Sequence, residues 1–263
     1  MMLAPVQGDA QLGDGLMSLP TDTDRLFLKP VAQSSFSFDI TVTTVFPDMI
    51  RRSVPGYEET LRMIRLAAGQ YAQPHSHIYD MGCSWGEATL AAIHGIGSDP
   101  LSIHYHAIDQ SPSMLERSES FLHEHAPQCP ITYLCESIEN TGVANASLVI
   151  MNYTLQFLPI SSRLAILKKC CDGLNAGGAM ILSEKTCVHE KQLQQKMDRF
   201  HDAYKRSMGY SSTEILNKRS ALEKVLIPES IDTHLQRLND AGFSEVYVLG
   251  HWMNFACILA IKP

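Results

Sequence analysis

Residues 78–87 read Ile78-Tyr79-Asp80-Met81-Gly82-Cys83-Ser84-Trp85-Gly86-Glu87. The first four residues are typical of a short buried strand, the next five of a glycine-bounded turn, and a helix is predicted to follow from Glu87. A strand that passes through a tight turn into a helix is how nucleotide-binding α/β sheets begin. We therefore expect an α/β protein with a ligand site at this turn.

The rest of the chain repeats this alternation of strand and helix. Further strands are predicted at 103–108, 131–134, 148–151 and 179–182, and helices at about 57–71, 111–124 and 161–174. Near-continuous apolar strands between helices predict a parallel sheet covered on both faces. The last two strands, 245–249 and 253–261, are joined by so few residues that they must be antiparallel. The predicted fold is a mostly parallel seven-stranded sheet with an antiparallel C-terminal hairpin.

The domain boundaries are predicted from the segments in which strands and helices do not alternate. Residues 1–35 are polar and show no apolar periodicity, so we predict a poorly ordered N-terminal extension followed by a single α/β domain over 36–263. Residues 186–229 are mostly polar and interrupt the domain as a helical insert. Shorter signals predict turns at 46–50 and 54–57, and a glycine cap at 175–178 that ends the preceding helix.

Composition excludes several classes of protein. The chain has 263 residues, 45% hydrophobic and 19% charged, which suffices for one sizeable core. Its net charge of -7 disfavours direct binding of a nucleic-acid backbone. No apolar run approaches the length of a membrane span, and seven cysteines without metal-type spacing indicate a reducing, cytoplasmic setting. Three His-x-His pairs lack a third ligand, so we interpret them as surface histidines and predict no metal site.

Charge is distributed unevenly along the chain. Between Lys185 and Lys224 there are nine Lys or Arg and five Asp or Glu, an excess of four positive charges that leaves -11 for the remaining residues. The insert that contains most of this segment follows the fifth strand, from which it can fold over the ligand site. It is either a solvated helical surface or a segment that attracts an anionic substrate.

The turn after the first strand differs from a dinucleotide-binding loop. In that motif a second glycine lets the backbone approach a pyrophosphate, and here Ser84 stands in its place. Asp109 ends the second strand, where a carboxylate can accept hydrogen bonds from ribose hydroxyls. A nucleoside ligand without phosphates, such as S-adenosylmethionine, fits this combination. The alternative is that the glycines only join a strand to a helix. Asn152 is a further polar candidate, whereas Glu87 and Glu184 are possible catalytic acids without a partner.

Several blocks of sequence, most of them outside this turn, follow the pattern of one family. They are 46–50, 52–57, 79–84, 145–147, 152–158, 177–178, 182–185, 209–211 and 218–220. With these blocks the chain, from about Phe38 to its C-terminus, resembles the carboxy-S-adenosyl-L-methionine synthase family of the class I S-adenosylmethionine-dependent methyltransferase superfamily. The resemblance implies a Rossmann-like methyltransferase fold, a cytoplasmic homodimer and a transferase activity.

The resemblance also implies a reaction. S-adenosyl-L-methionine and prephenate are converted to carboxy-S-adenosyl-L-methionine and phenylpyruvate. In the proposed chemistry prephenate loses carbon dioxide and its ring hydroxyl, the hydroxide takes a proton from the sulfonium methyl group, and the resulting ylide captures the carbon dioxide. A tRNA uridine carboxymethyltransferase then uses the product to modify a wobble uridine, so the protein serves tRNA without binding it.

The family's ligand-contact positions carry over to this chain residue by residue. They are Tyr57, Gly82, Cys83, Ser84, Asp109, Gln110, Ser137, Ile138, Asn152 and Arg219. By the resemblance, Arg219 is the catalytic-site residue that holds the added carboxylate, reaching in from the partner subunit. Ser137 and Gln110 depart from the family's usual Asp and Asn beside the ligand, and Trp85 and Glu87 replace smaller residues.

Two other functions compete with this one. A conventional S-adenosylmethionine-dependent methyltransferase acting on a small molecule keeps the fold and ligand but needs no cation facing the methyl group, so Arg219 argues against it. A non-catalytic module that binds a modified nucleoside is the second alternative. The acidic body of the protein and the intact Lys218-Arg219-Ser220 block argue against that module.

Overall fold

The computed structural model describes residues 23–28, 38–97 and 101–263. Seven strands and eight α-helices are assigned in these ranges. The strands are β1 (His77–Met81), β2 (His104–Asp109), β3 (Ile131–Cys135), β4 (Ala146–Asn152), β5 (Leu174–Lys185), β6 (Glu245–Trp252) and β7 (Phe255–Ile261). The helices are α1 (Ile40–Ser53), α2 (Tyr57–Tyr71), α3 (Glu87–Ile96), α4 (Pro112–His125), α5 (Ile160–Gly173), α6 (Lys191–Ser207), α7 (Ser212–Leu222) and α8 (Ile231–Asp240). No helix within these ranges is long and apolar enough to cross a membrane.

The strands form one sheet in the order β3-β2-β1-β4-β5-β7-β6. The first five strands along the chain pair in parallel, whereas β7 is antiparallel to both β5 and β6. This confirms the predicted mostly parallel seven-stranded sheet with an antiparallel C-terminal hairpin. Strand order reverses between β1 and β4, and the carboxyl ends of these two strands therefore open the crevice in which α/β proteins bind ligands.

The central strands are apolar because helices cover both faces of the sheet. On one face Ile78, Ile150 and Ile181 pack with residues of α2, α3 and α4. On the other face Val149 and Leu182 pack with residues of α5 and α8. Alternate residues of β4 thus enter different cores, which explains why the strand has no polar face. Only the residues at and beyond the strands' carboxyl ends are free to carry polar side chains toward a ligand.

One predicted turn, at 46–50, and the predicted glycine cap at 175–178 are wrong. Residues 46–50 lie inside α1, in which Pro47 is an interior residue and Asp39 caps the first turn. Val42, Phe46 and Met49 are buried at helical spacing, and this packing outweighs the hydrogen bond that the proline removes. Residues 175–178 do not cap α5, because that helix ends at Gly173 and β5 already begins at Leu174. The turn predicted at 54–57 lies between α1 and α2, as expected.

Most of the predicted N-terminal extension lies outside the described residues, but residues 23–28 differ from the prediction. They form a short 3-10 turn in which Phe27 is only 2% exposed. The Phe27 carbonyl oxygen accepts a hydrogen bond from Asn217 Nδ2 at 2.9 Å, and the Asp24 carboxylate lies 3.6 Å from Lys218 Nζ. This part of the predicted extension is therefore packed against α7 of the insert.

The insert forms two helices, α6 and α7, between β5 and α8. A capping box of Ser211 and Glu214 starts α7. His201 of α6 is buried and hydrogen-bonds through Nε2 to the Ser53 carbonyl oxygen at 2.8 Å, which attaches the insert to α1. The insert therefore lies over the carboxyl ends of the strands, as its position in the sequence suggests.

A buried guanidinium ties the insert to the sheet. Arg163 of α5 is 0% exposed, and its Nη1 lies 2.5 Å from the Glu229 carboxylate. Its other nitrogens donate to the carbonyl oxygens of Gln156, Leu158 and Ile227 at 3.0 to 3.1 Å. One side chain thus satisfies acceptors on the loop after β4 and on the segment that follows α7.

We expect Arg163→Met to lower the free energy of unfolding by roughly 3 to 5 kcal/mol, because it leaves buried carbonyl oxygens without a donor and breaks the ion pair to Glu229. Lys168→Met, on the exposed side of the same helix, removes only a surface ion pair and is expected to cost under about 0.5 kcal/mol. Urea unfolding of both variants measures the difference. Equal losses would contradict a structural role for Arg163.

Candidate functional site

A cavity of about 380 Å³ opens at the carboxyl ends of the parallel strands. Its walls come from α1, the turn after β1, the ends of β2, β4 and β5, the loops after β3 and β4, and the insert. All ten residues predicted as ligand contacts line this one cavity. They are Tyr57, Gly82, Cys83, Ser84, Asp109, Gln110, Ser137, Ile138, Asn152 and Arg219.

The turn after β1 has a backbone shape that glycine makes possible. Gly82 has φ +90°, and a Cβ atom there would lie 2.4 Å from Thr154 Oγ1. Ser84 also adopts a left-handed conformation, with φ 48°, and Gly86 at φ 85° precedes α3. These conformations fold the turn back along the strand end so that its backbone faces the cavity.

Asp109 is held in place by two backbone donors. Its Oδ2 accepts from the Ser84 N–H and its Oδ1 from the Ser111 N–H, each at 2.9 Å. Burial raises the pKa of the carboxyl group, and these hydrogen bonds oppose the rise. An ionised carboxylate has about four acceptor positions, so two stay available for hydroxyl groups of a ligand.

Two further contacts at this end differ in chemistry. The Oδ1 atom of Asn152 is buried and has no hydrogen-bond partner within the described part of the chain. A ligand N–H is the partner that such an acceptor lacks. Burial raises the pKa of the Cys83 thiol well above its ordinary value, so the thiol stays protonated and is a neutral contact.

Glu87, one of the departures from the family pattern, is compensated within this chain. Arg51 of α1 pairs with Glu87 at 2.5 Å and with Glu58 at 2.7 Å. The Tyr57 hydroxyl donates to Glu87 Oε2 at 2.9 Å. Burial, together with the Glu87 carboxylate, raises the pKa of Tyr57 well above its ordinary value, and its hydroxyl therefore stays protonated. The Glu87 carboxylate is therefore paired, and it holds the side chain of Tyr57, one of the predicted ligand contacts, in place.

Two other departures, Trp85 and Ser137, have identifiable surroundings in the structure. The Trp85 indole packs in a cluster with Val42 and Phe46 of α1 and donates Nε1–H to the Thr43 carbonyl oxygen at 2.8 Å, so its larger ring anchors α1. At the loop after β3, Glu136 lines the cavity beside Ser137, the residue that stands where the family usually has Asp.

The insert contributes a group of cations to the opposite wall. Within the single chain Arg219 already lines the cavity, whereas the resemblance implies that it reaches in from the partner subunit. Its guanidinium pairs with both oxygens of Asp202 at 2.6 and 2.7 Å. Lys205 and Lys218 of the insert also line the cavity, together with Lys185 at the end of β5. Residue-level reasoning missed the lysines, although the positive excess of the segment indicated them.

Glu184 and the histidines of the His-x-His pairs on β1 and β2 do not line the cavity. Glu184 is fully buried and accepts from the Leu155 N–H at 3.0 Å, and burial raises its pKa to about 8. It supports the loop after β4 and does not line the cavity. His77 and His106 approach to 3.3 Å between ring nitrogens on neighbouring strands, away from the cavity. The described residues contain no group of three or more His, Cys, Asp or Glu that could hold a metal ion.

Similarity to solved structures supports the fold. An O-methyltransferase family protein from Burkholderia thailandensis superposes with a TM-score of 0.60 and 16% identity, covering 89% of this chain and 64% of that one. Human N-acetylserotonin methyltransferase, solved in complex with SAM, gives a TM-score of 0.56 and 14% identity, covering 85% of this chain and 55% of that one. A family model described as a methyltransferase domain matches residues 78–178.

Sequence similarity is much stronger to one group of proteins. Carboxy-S-adenosyl-L-methionine synthase from Marinobacter nauticus is 45% identical over 240 residues, which are 91% of this chain and 95% of that protein. The protein of that name from Geobacter sp. strain M21 is 44% identical over 242 residues, 91% of this chain and 98% of the relative. A third, from Escherichia coli, is 41% identical over 240 residues, 91% of this chain and 96% of the relative. The chain belongs to the carboxy-S-adenosyl-L-methionine synthase family.

Proposed function

We propose that this protein is a transferase that converts S-adenosyl-L-methionine to carboxy-S-adenosyl-L-methionine, with prephenate as the source of the carboxyl group. The observation that carries the proposal is the convergence of all ten family contact positions on a single cavity. The reaction is inferred from membership of the family. Two walls of the cavity differ in chemistry, and we assign one to the nucleoside and the other to an anion.

The wall formed by β1, β2 and β4 suits S-adenosylmethionine. Asp109 keeps acceptor positions for two ribose hydroxyls, and the left-handed turn at Gly82 brings backbone close to the ligand. The unpartnered Oδ1 of Asn152 suits an ammonium group such as that of the methionine moiety. Tyr57, held by Glu87, presents a neutral hydroxyl at the same wall.

The insert's wall suits the carboxyl group that the reaction adds. Arg219 is 49% exposed at the cavity, and its planar fork binds a carboxylate through two parallel hydrogen bonds. In the structure Nη2 alone donates to both Asp202 oxygens, so the ligand carboxylate has to share this nitrogen with Asp202 or replace it. A conventional methyltransferase has no need for a cation here.

Prephenate supplies both the carbon dioxide and the base in this proposal. The hydroxide that leaves its ring removes a proton from the sulfonium methyl group to form water, and the carbanion of the methyl group then bonds to the carbon dioxide. Phenylpyruvate is the second product. Tyr57 and Cys83 keep their protons because burial raises both pKa values, so neither competes with the hydroxide as a base.

The proposal extends to the partners of the protein. We infer a homodimer whose product is used by a tRNA uridine carboxymethyltransferase. The net charge of -11 outside residues 185–224 is consistent with a protein that makes a reagent for tRNA modification without binding the RNA itself.

Incubation of the purified protein with S-adenosylmethionine and prephenate is expected to give a nucleoside product heavier by one carboxyl group, together with phenylpyruvate. Mass spectrometry detects the first product and absorbance the second. Omission of prephenate is the control and should leave the nucleoside unchanged. Recovery of only unmodified S-adenosylmethionine at several pH values would overturn the proposed reaction, and a methylated acceptor would favour a conventional methyltransferase.

Arg219→Ala is expected to weaken binding of carboxy-S-adenosylmethionine at least tenfold, because the ligand carboxylate loses a bidentate partner, while binding of S-adenosylhomocysteine changes less than about twofold. Isothermal titration calorimetry with both ligands measures the difference. Arg206→Ala, an exposed arginine of α6 that does not line the cavity, is the matched control and should alter neither affinity. Equal losses for the two ligands would assign Arg219 a structural role.

A further inference from the structure

Two lysines on the insert's wall of the cavity differ from the other cations there. Lys185 is the last residue of β5, and Lys205 lies near the end of α6 with only 8% of its surface exposed. Both line the cavity. They lie on separate elements that meet at the cavity wall, so sequence proximity does not explain their association.

Neither lysine has a carboxylate partner within the described residues. Lys218 Nζ, in contrast, contacts Ser53 Oγ at 2.7 Å and lies 3.6 Å from the Asp24 carboxylate. Arg219 is paired with Asp202. For Lys185 and Lys205 no hydrogen bond or ion pair of the ammonium group joins any described residue, and the nearest acidic influence comes from Asp198 and Asp202 at longer range.

This arrangement is costly to the folded protein. Burial, reinforced by the charges of Lys185 and Lys218, lowers the pKa of Lys205 to about 7. Burial likewise lowers the pKa of Lys185, and Arg219 contributes. Apolar side chains at these positions would avoid both penalties. Buried cations without partners that face a cavity are the arrangement expected where an anionic ligand completes the charge balance.

We propose that Lys185 and Lys205 form the binding site for the carboxylate groups of the dianionic co-substrate, an inference that rests on the proposed function. Each ammonium group pairs with one carboxylate of prephenate, while Arg219 is left for the carboxylate formed on the nucleoside. Two negative charges on one small molecule match the two unpartnered cations. His201 beside them stays neutral, because burial lowers its pKa to about 2 while its Nε2–H donates to the Ser53 carbonyl oxygen.

The distribution of charge in the cavity supports this orientation. Of the acidic lining residues, Asp109 and Glu136 lie at the ends of β2 and β3, at the nucleoside wall, and Glu87 is paired with Arg51. Asp198 and Glu223 lie on the insert's wall, where the cations Lys185, Lys205, Lys218 and Arg219 outnumber them. Lys185, at the end of β5, lies across β1 and β4 from them in the strand order. A dianion is therefore attracted to the insert's wall and repelled from the wall that holds the nucleoside, which places the two substrates side by side.

The test uses the full-length protein carrying Lys205→Met or Lys185→Gln, with Lys196→Met as the matched control. Lys196 is an exposed lysine of α6 that does not line the cavity. Calorimetry measures the binding of prephenate in the presence of saturating S-adenosylhomocysteine, and separately the binding of S-adenosylhomocysteine. We expect prephenate to bind at least tenfold more weakly to each cavity variant, with nucleoside binding changed less than about twofold and the control unchanged.

A second readout distinguishes binding from structural support. Because Lys205→Met removes a buried charge without a partner, the melting temperature of the unliganded protein should rise. A fall in melting temperature together with parallel losses in prephenate and nucleoside binding would show that Lys205 supports the fold, and would overturn the inference.

The same assays separate this inference from the proposed function. If the wild-type protein forms the carboxylated product while both lysine variants bind prephenate like the control, the inference fails and the proposed reaction stands. If the wild-type protein forms no carboxylated product and does not bind prephenate, the proposed function fails and the inference fails with it.

Discussion

The Arg163 guanidinium is the interaction that joins the two halves of the ligand cavity. It donates to carbonyl oxygens of the loop after β4 and of the segment after α7, and it pairs with Glu229. The loop carries Gln156 and Leu158 into the cavity wall, and the insert carries its cations. One buried side chain thus connects the loop after β4 to the segment after α7, and both segments line the cavity.

Because Arg163 holds the insert beside the strand ends, the uneven distribution of charge along the chain becomes an uneven distribution of charge around the cavity. Cations outnumber the carboxylates of Asp198 and Glu223 on the insert's side of the cavity, and the carboxylates of Asp109 and Glu136 lie at the ends of β2 and β3. Burial beside Lys185 and Lys218 lowers the pKa of Lys205 to about 7, which is the direction expected for cations that are brought together in a low-dielectric site. In the function proposed here, an anionic ligand offsets this cost.

The departures from the family pattern show how a site tolerates unusual residues. Glu87 brings a carboxylate toward the cavity, and Arg51 neutralises it while Tyr57 uses it as a hydrogen-bond acceptor. Trp85 is larger than the residue that the family usually has at this position, and its ring packs against an apolar surface of α1. In both cases a compensating residue lies on α1, a helix distant in sequence from the turn after β1.

The sequence by itself determined the sheet, because near-continuous apolar strands between helices permit little else, and it predicted that Gly82, Asp109 and Asn152 lie together at the strand ends, where they line the cavity. It misplaced α1 at Pro47, since burial of Phe46 and Met49 depends on contacts that local propensity does not contain. Only the tertiary structure decided which basic residues of the insert line the cavity. Lys205 and Lys196 look alike on one helix, and they differ because the packing of α6 turns one into the cavity and the other into solvent.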